Sequence, residues 1–206
     1  CGGLLGAGVF EDVEVAIMTG LRLGITGTHA TGKSTLAAEL SSALPEWIFV
    51  EEAYTHLLEA GEAFGARPTI DDIEAQLLRS IELIESVSDP EVVFERCPVD
   101  YLAYLTALGA DTETLGHWLQ ESRDALASLD ALIFVPVEHP DRIVVGSDDL
   151  PKLRRAVDRH LREGLVEDSW ALGLTVHECH GSPADRVAQV LSWITAHGDP
   201  IEIAAP

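Results

Sequence analysis

The chain has 206 residues, and its 13 Lys and Arg stand against 35 Asp and Glu, a formal charge of −22. Affinity for nucleic acid comes mainly from basic side chains that neutralise phosphates and release counterions, so this balance excludes a phosphate-backbone binder and disfavours an anionic membrane surface. Of the basic residues only Lys33 and Lys152 are Lys, so a lysine within a recognisable motif stands out. Residues 1–17, ahead of the only methionine, Met18, read as an extension that lies outside the fold. They lack a basic segment before their apolar stretch, which argues against a signal peptide. No apolar run approaches the roughly 20 residues that span a bilayer. The 47% hydrophobic content suits one domain over residues 18–197, with a loose tail at 198–206. The three cysteines, Cys1, Cys97 and Cys179, form no CxxC pair and point to a reducing cytoplasm.

Along that domain short apolar runs alternate with helical stretches, as in a parallel sheet covered by helices. Strands are expected at 21–26, 47–51, 92–95, 131–137 and 174–178, each apolar and bounded by polar or turn residues. Between them, residues 69–87 place Ile70, Ile73, Leu77, Ile81 and Ile84 on one helical face, with Thr69 and Asp72 spaced to cap the start. Ser182, Pro183 and Asp185 give a similar signal for the last helix, whose apolar face is Val187, Val190, Leu191 and Ile194.

After the first strand comes Gly27-Thr28-His29-Ala30-Thr31-Gly32-Lys33-Ser34, a full match to G-x-x-x-x-G-K-[S/T], with Thr35 following and a helix-forming run beyond. This is the context in which such a loop cradles phosphates. The two glycines let backbone wrap an anion, and successive N–H groups and the helix start supply positive potential. Lys33 is then expected to bridge the β- and γ-phosphates of ATP, and Ser34 to ligate Mg2+. His29 reads as a variable loop position rather than a catalyst.

Several nucleotide-binding classes lack their marks here. There is no N/T-K-x-D element for guanine, no LSGGQ-like signature, and no apolar strand that ends in Asp-Glu as an oligomeric motor requires. The second strand instead ends in Glu51-Glu52 and the third in Glu95-Arg96. In a doubly wound sheet these strand ends form the ligand crevice. One of Glu51 or Glu52 is therefore a candidate base toward an acceptor hydroxyl, Glu95 a second metal-orienting residue, and Arg96 a clamp on substrate or transferring phosphate.

Together, the GxxxxGKS loop, the acidic end of strand two and the Glu-Arg element after strand three resemble the nucleoside and nucleotide kinase superfamily of P-loop proteins. The runs ERCPVDYLAYL and GSPADRV are similar to small bacterial AAA-domain ATP-binding proteins grouped with ribosylnicotinamide kinases. That resemblance implies an α/β three-layer sandwich with a five-stranded parallel sheet in the order 2-3-1-4-5, helices on both faces, ATP as donor and a helical lid after strand four. It also implies that the loop before the last helix, Gly181, Ser182 and Pro183, touches the adenine. One departure is that Cys97-Pro98 follows Arg96, where thymidylate and deoxynucleoside kinases usually show Ser.

The expected lid, residues 140–166, is the one basic island. Between Arg142 and Arg162 six basic residues face three acids, a local +3 that leaves −25 for the rest. Lys152, Arg155, Arg159 and Arg162 share a helical face, and Arg155 and Arg159 are the candidates for transition-state stabilisation. An acceptor pocket is expected from residues 54–68 and 99–129, with Tyr54, Arg67, Asp100, Tyr101 and Trp118 as candidates. The favoured function is an ATP- and Mg2+-dependent kinase of a small, nucleoside-like or nucleotide acceptor, in a cytoplasmic protein for which a homodimer is common among such folds. A nucleotide-binding regulatory protein or slow ATPase is the alternative.

Overall fold

A computed structural model describes residues 18–200, apart from residue 144 and residues 147–149. The extension expected over 1–17 and the end of the tail lie outside the described residues. The strands are β1 (Met18–Thr19), β2 (Arg22–Thr26), β3 (Ile48–Val50), β4 (Val92–Glu95), β5 (Ala131–Phe134), β6 (Val176–Glu178) and β7 (Asp199–Pro200). The helices are α1 (Lys33–Ala43), α2 (Ala53–Glu59), α3 (Ile70–Ser86), α4 (Pro98–Leu108), α5 (Thr112–Ala127), α6 (Pro151–Leu161) and α7 (Pro183–His197). A π-helical turn, Arg162–Val166, continues α6. No described helix is long and apolar enough to cross a membrane.

Five strands form a wholly parallel sheet in the order β3-β4-β2-β5-β6, which is 2-3-1-4-5 when those five are counted along the chain. Parallel neighbours need a crossover, and helices supply each one. Alternate residues feed two cores, as a pleated strand covered on both sides must. Leu23, Ile25, Val93 and Ile133 pack with Leu36 and Leu40 of α1 and Val190 and Ile194 of α7. Val92, Phe94, Leu132 and Phe134 face the other way, against Ile73, Leu77 and Ile84 of α3, Leu105 of α4 and Val157 of α6. A two-residue antiparallel ladder joins β1 to β7.

Where strands are shorter than the apolar runs, pairing is the limit. β6 is an edge strand bonded only to β5, so its ladder covers Val176–Glu178 although Leu174 also packs inward. The helix starts behave as their sequences indicate. Thr69 N donates to Asp72 Oδ2 at 2.8 Å while Asp72 N donates to Thr69 Oγ1 at 3.2 Å, and Ser182 and Asp185 close the same reciprocal box on α7. Each box satisfies amides that the first helical turn leaves without partners. Because β2 is flanked by β4 on one side and β5 on the other, the chain reverses its winding there. The carboxyl end of β2, where the phosphate-loop motif begins, is therefore the crevice of the sheet.

Candidate active site

The loop between β2 and α1 depends on glycine at two points. Gly27 has φ +150°, and a Cβ there would lie 2.4 Å from Val135 O; Gly32, at φ +91°, is the residue that opens α1. Both conformations are open to glycine and strained for other residues. Each loop carbonyl from Gly27 to Thr31 accepts from a cationic side chain. Arg96 Nη1 donates to Gly27 O at 3.2 Å, Lys33 Nζ to Thr28 O at 2.6 Å, and Arg154 to His29 O and Ala30 O at 3.0 and 2.9 Å. Arg186 Nη1 donates to Thr31 O at 2.5 Å. With these acceptors engaged, and with Gly27 N and His29 N held by Asp100 and Tyr104, the later amides of the loop and the start of α1 are the groups that can form an anion cradle.

Two of these clamps, Arg154 and Arg186, were not singled out in the sequence. Arg154 is 3% exposed and its guanidinium also pairs with Asp141, so charge, burial and the loop backbone fix one another. Arg186 pairs with Glu138 at 3.0 Å, and Glu138 Oε1 also accepts from Gly181 N at 2.6 Å. The expected lid residues Arg155 and Arg159 lie elsewhere. Both are exposed, and Arg159 is 3.6 Å from Glu163, because docking of Arg154, Val157 and Leu161 against the protein turns the neighbouring positions of α6 to solvent. Lys152 is exposed too, and Arg162 reaches Glu178 at 3.2 Å.

Beneath the loop lies Asp100. It is fully buried, accepts from Gly27 N at 2.8 Å and Cys97 N at 3.0 Å, and is 3.5 Å from Arg96 Nη1. Burial outweighs these partners and holds its pKa above the ordinary carboxylate value. Burial, aided by the nearby Arg96 charge, lowers the Lys33 pKa to about 7 against the pull of Asp100, Glu52 and Glu95. The loop lysine is thus a strongly desolvated cation whose charged form an arriving anion would favour.

The carboxylates at the strand ends separate by one step along extended backbone. Glu52 Oε2 accepts from Arg96 Nε at 2.5 Å and Glu52 faces a cavity of about 200 Å³ that is also lined by Tyr54, Gln76, Tyr101 and Tyr104. Glu51 is exposed on another opening, beside Phe49, Ser34 and Glu95. Ser34 Oγ donates to Glu95 Oε1 at 2.5 Å, which brings together two oxygen donors at the first turn of α1. Arg96 itself has φ +65°, a conformation few non-glycine residues adopt, and its guanidinium lies 5.7 Å from the Tyr104 ring centroid. The Tyr104 hydroxyl in turn accepts from His29 N at 3.1 Å, linking the cavity to the loop apex.

Other candidates are placed apart. Arg67 is exposed, Asp100 serves the loop rather than the cavity, and Trp118 Nε1 donates to Glu74 Oε1 at 2.7 Å between α5 and α3. A second cavity, about 620 Å³, lies beyond β5 and is lined by Glu138, His139, Arg142, His180 and Gly181. Ser182 and Pro183 follow Gly181 at the start of α7.

Sequence comparison decides the family, since the model of an AAA domain matches residues 22–186, more than half of the chain. The chain belongs to this AAA-domain family. Comparison with curated protein sequences finds no match. Among solved structures, the AAA-domain protein is similar to thymidylate kinase from Candida albicans, with TM-score 0.59 and 16% identity over 86% of this chain and 92% of that one. Deoxyadenosine kinase from M. mycoides with bound dATP gives TM-score 0.59 and 13% identity over 85% and 100%. The NadR protein in complex with NR gives 0.61 and 17% over 91% of this chain and 52% of that one, so the AAA-domain protein spans about half of it. The fold is the P-loop nucleotide-kinase fold.

Proposed function

We propose that this AAA-domain protein is an ATP- and Mg2+-dependent phosphotransferase that acts on a small acceptor held in the cavity beside Glu52, in the cytoplasm where its donor is found. The observation that carries this is the position of Arg96, which donates to Gly27 O of the phosphate loop and to Glu52 of the cavity wall. One guanidinium therefore ties the donor side to the acceptor side across the end of the sheet, as a transfer reaction needs and simple nucleotide storage does not.

In this reading the loop N–H groups and Lys33 hold the β- and γ-phosphates, and the lysine charge grows more favourable as negative charge develops there. The hydroxyl of Ser34, with Glu95 beside it, is a hard oxygen set of the kind Mg2+ accepts alongside water and phosphate oxygens. Bound Mg2+ would neutralise charge on the phosphates. Glu52 accepts the proton of an acceptor hydroxyl as its oxygen bonds to the γ-phosphorus and the β–γ bridge bond breaks, which leaves ADP and the phosphorylated acceptor. Arg154 and Arg186 hold the carbonyls of His29, Ala30 and Thr31 throughout. The Glu138–Gly181 bond supports assigning the second cavity to the adenine, with Gly181, Ser182 and Pro183 along one side.

The test is ATP consumption across a panel of nucleosides, nucleotides and vitamins, with Lys33→Ala as the blank. Acceptor-dependent ADP release that Lys33→Ala abolishes is the expected result. ATP binding without stimulation by any acceptor would leave the regulatory or slow-ATPase reading instead.

A further inference from the structure

We infer that Glu138 is a positioning residue for the phosphate loop. From the wall of the second cavity it acts through Arg186 on Thr31 O, so that the grip of the loop on phosphates is set in part by a carboxylate outside the loop. This rests on assigning the loop to the donor's phosphates.

The chain of bonds is short and buried. Arg186 on α7 is 7% exposed; its Nη1 donates to Thr31 O at 2.5 Å and its Nη2 to Glu138 Oε1 at 3.0 Å. The same oxygen of Glu138 accepts from Gly181 N at 2.6 Å, while Oε2 accepts from Arg142 Nε. One carboxylate therefore gathers the loop before α7, the first basic residue of the expected lid and, through a single guanidinium, the phosphate loop. Burial would raise its pKa, but the bonds from Arg186, Gly181 N and Arg142 hold it below the ordinary glutamate value, so the anion persists in place. The loop makes room for its partner. A Cβ on Gly32 would lie 3.0 Å from Arg186 Nη1, so the glycine that opens α1 also lets the guanidinium approach the loop backbone.

Stability alone does not account for this placement. Arg186 stands in the first turns of α7, where the helix dipole disfavours a cation, and its Nε is buried with no hydrogen-bond partner among the described residues. Both features cost free energy. What the placement fixes is the peptide between Thr31 and Gly32, immediately ahead of Lys33. That peptide is planar and trans, so holding Thr31 O on one side aims Gly32 N–H to the other, and Gly32 N is one of the later amides that can face an anion. The sign of the effect separates this role from simple electrostatics. By charge alone Glu138, one guanidinium away from the loop, repels phosphates and its neutralisation should tighten their binding. As a positioning residue it strengthens that binding, and its neutralisation should weaken it.

The experiment is calorimetry on the full chain with Mg2+ and inorganic tripolyphosphate, a probe that has no base to enter the second cavity, and Lys33→Ala marks the binding that belongs to the loop. Glu138→Gln should weaken that binding about tenfold, the scale of a charge-assisted hydrogen bond. Arg186→Met, which keeps an apolar stem and removes the donors, should weaken it at least as much. Adding Glu138→Gln to Arg186→Met should cause no further loss, because the path to Thr31 is already cut. Melting temperatures are followed for every variant, since a general loss of stability would lower them without producing that non-additivity. If Arg186→Met does not fold, Arg186→Lys takes its place; an ammonium lacks the two fixed arms, so the effect of Glu138→Gln should shrink there too. Unchanged or tighter binding in Glu138→Gln, or additive losses in the double variant, would overturn the inference and leave the donor assignment standing. Tripolyphosphate that shows no Lys33-dependent binding would instead remove the assignment of the loop, and the inference with it.

Discussion

The phosphate loop and the cavity proposed for the acceptor share Arg96, yet they differ in how completely their polar groups are partnered. Around the loop, all the carbonyls from Gly27 to Thr31 are held by cationic side chains, two of them buried arginines that have their own carboxylates. In the cavity Tyr101 keeps a buried hydroxyl without a partner among the described residues, and Tyr54 is 37% exposed. The donor side is organised before any ligand arrives, which suits a ligand whose phosphates are constant. On the proposed reading the acceptor side is less completely partnered, and its order is completed on binding.

Substitutions that act on one side alone can break this contrast. The largest effect is expected at Lys33, where Lys33→Ala should lower ATP turnover by about 10³-fold, measured as ADP release. Next is Glu52→Gln, which should reduce turnover by about 10²-fold or more with ATP affinity retained, while Glu51→Gln, whose carboxylate faces another opening, should leave turnover nearly unchanged. Equal losses in the two variants would end the distinction between them.

Arg154→Ala should weaken ATP binding by about tenfold or more in calorimetry, the scale of losing charge-assisted hydrogen bonds, and Arg154→Lys should not restore it because an ammonium cannot span two carbonyls and Asp141. Arg155→Ala and Arg159→Ala test the alternative that α6 acts through its exposed face. A fall in turnover with ATP affinity retained would support that role, and unchanged turnover would remove it.

A smaller effect concerns pH. The folded-state pKa of Lys33, lowered by burial from 10.5 to about 7, means that between those values the unfolded chain holds more protons than the native one. The nucleotide-free protein should therefore gain stability relative to Lys33→Met as pH rises through that window, read as the difference between their melting temperatures. ATP favours the charged lysine, so its affinity should fall over the same range. The smallest effect is Thr69→Ala, which opens the cap of α3 and should cost about 1 kcal/mol in denaturant unfolding while sparing ATP affinity, because α3 serves the cavity and not the loop.

How far the sequence could be read depended on the range of the interaction. The Thr69 and Ser182 caps are local matters, settled within four residues of chain, and each appears where its spacing indicates. Glu51 and Glu52 could not be told apart in the sequence, because a single step reverses which way a side chain faces on extended backbone and only the packed neighbours say which way is inward. Arg154 and Arg155 differ for the helical version of the same reason, a turn of about 100° per residue. Arg186 did leave a trace. It sits in the first turns of α7, where the helix dipole favours acids, so a cation there marks a partner from another part of the chain.

By itself the sequence determined the alternation of buried strands and helices, the phosphate loop and its lysine, and the net charge, which disfavours a nucleic-acid surface. Those properties follow from short-range periodicity, backbone conformation and composition. Only the tertiary structure decided which carboxylate faces the cavity, which arginines hold the loop carbonyls, and that Asp100 lies beneath the loop. Partners such as Arg186 and Thr31, 155 residues apart, meet because the sheet brings its strand ends and the following helix starts to one edge, and no local pattern encodes that meeting.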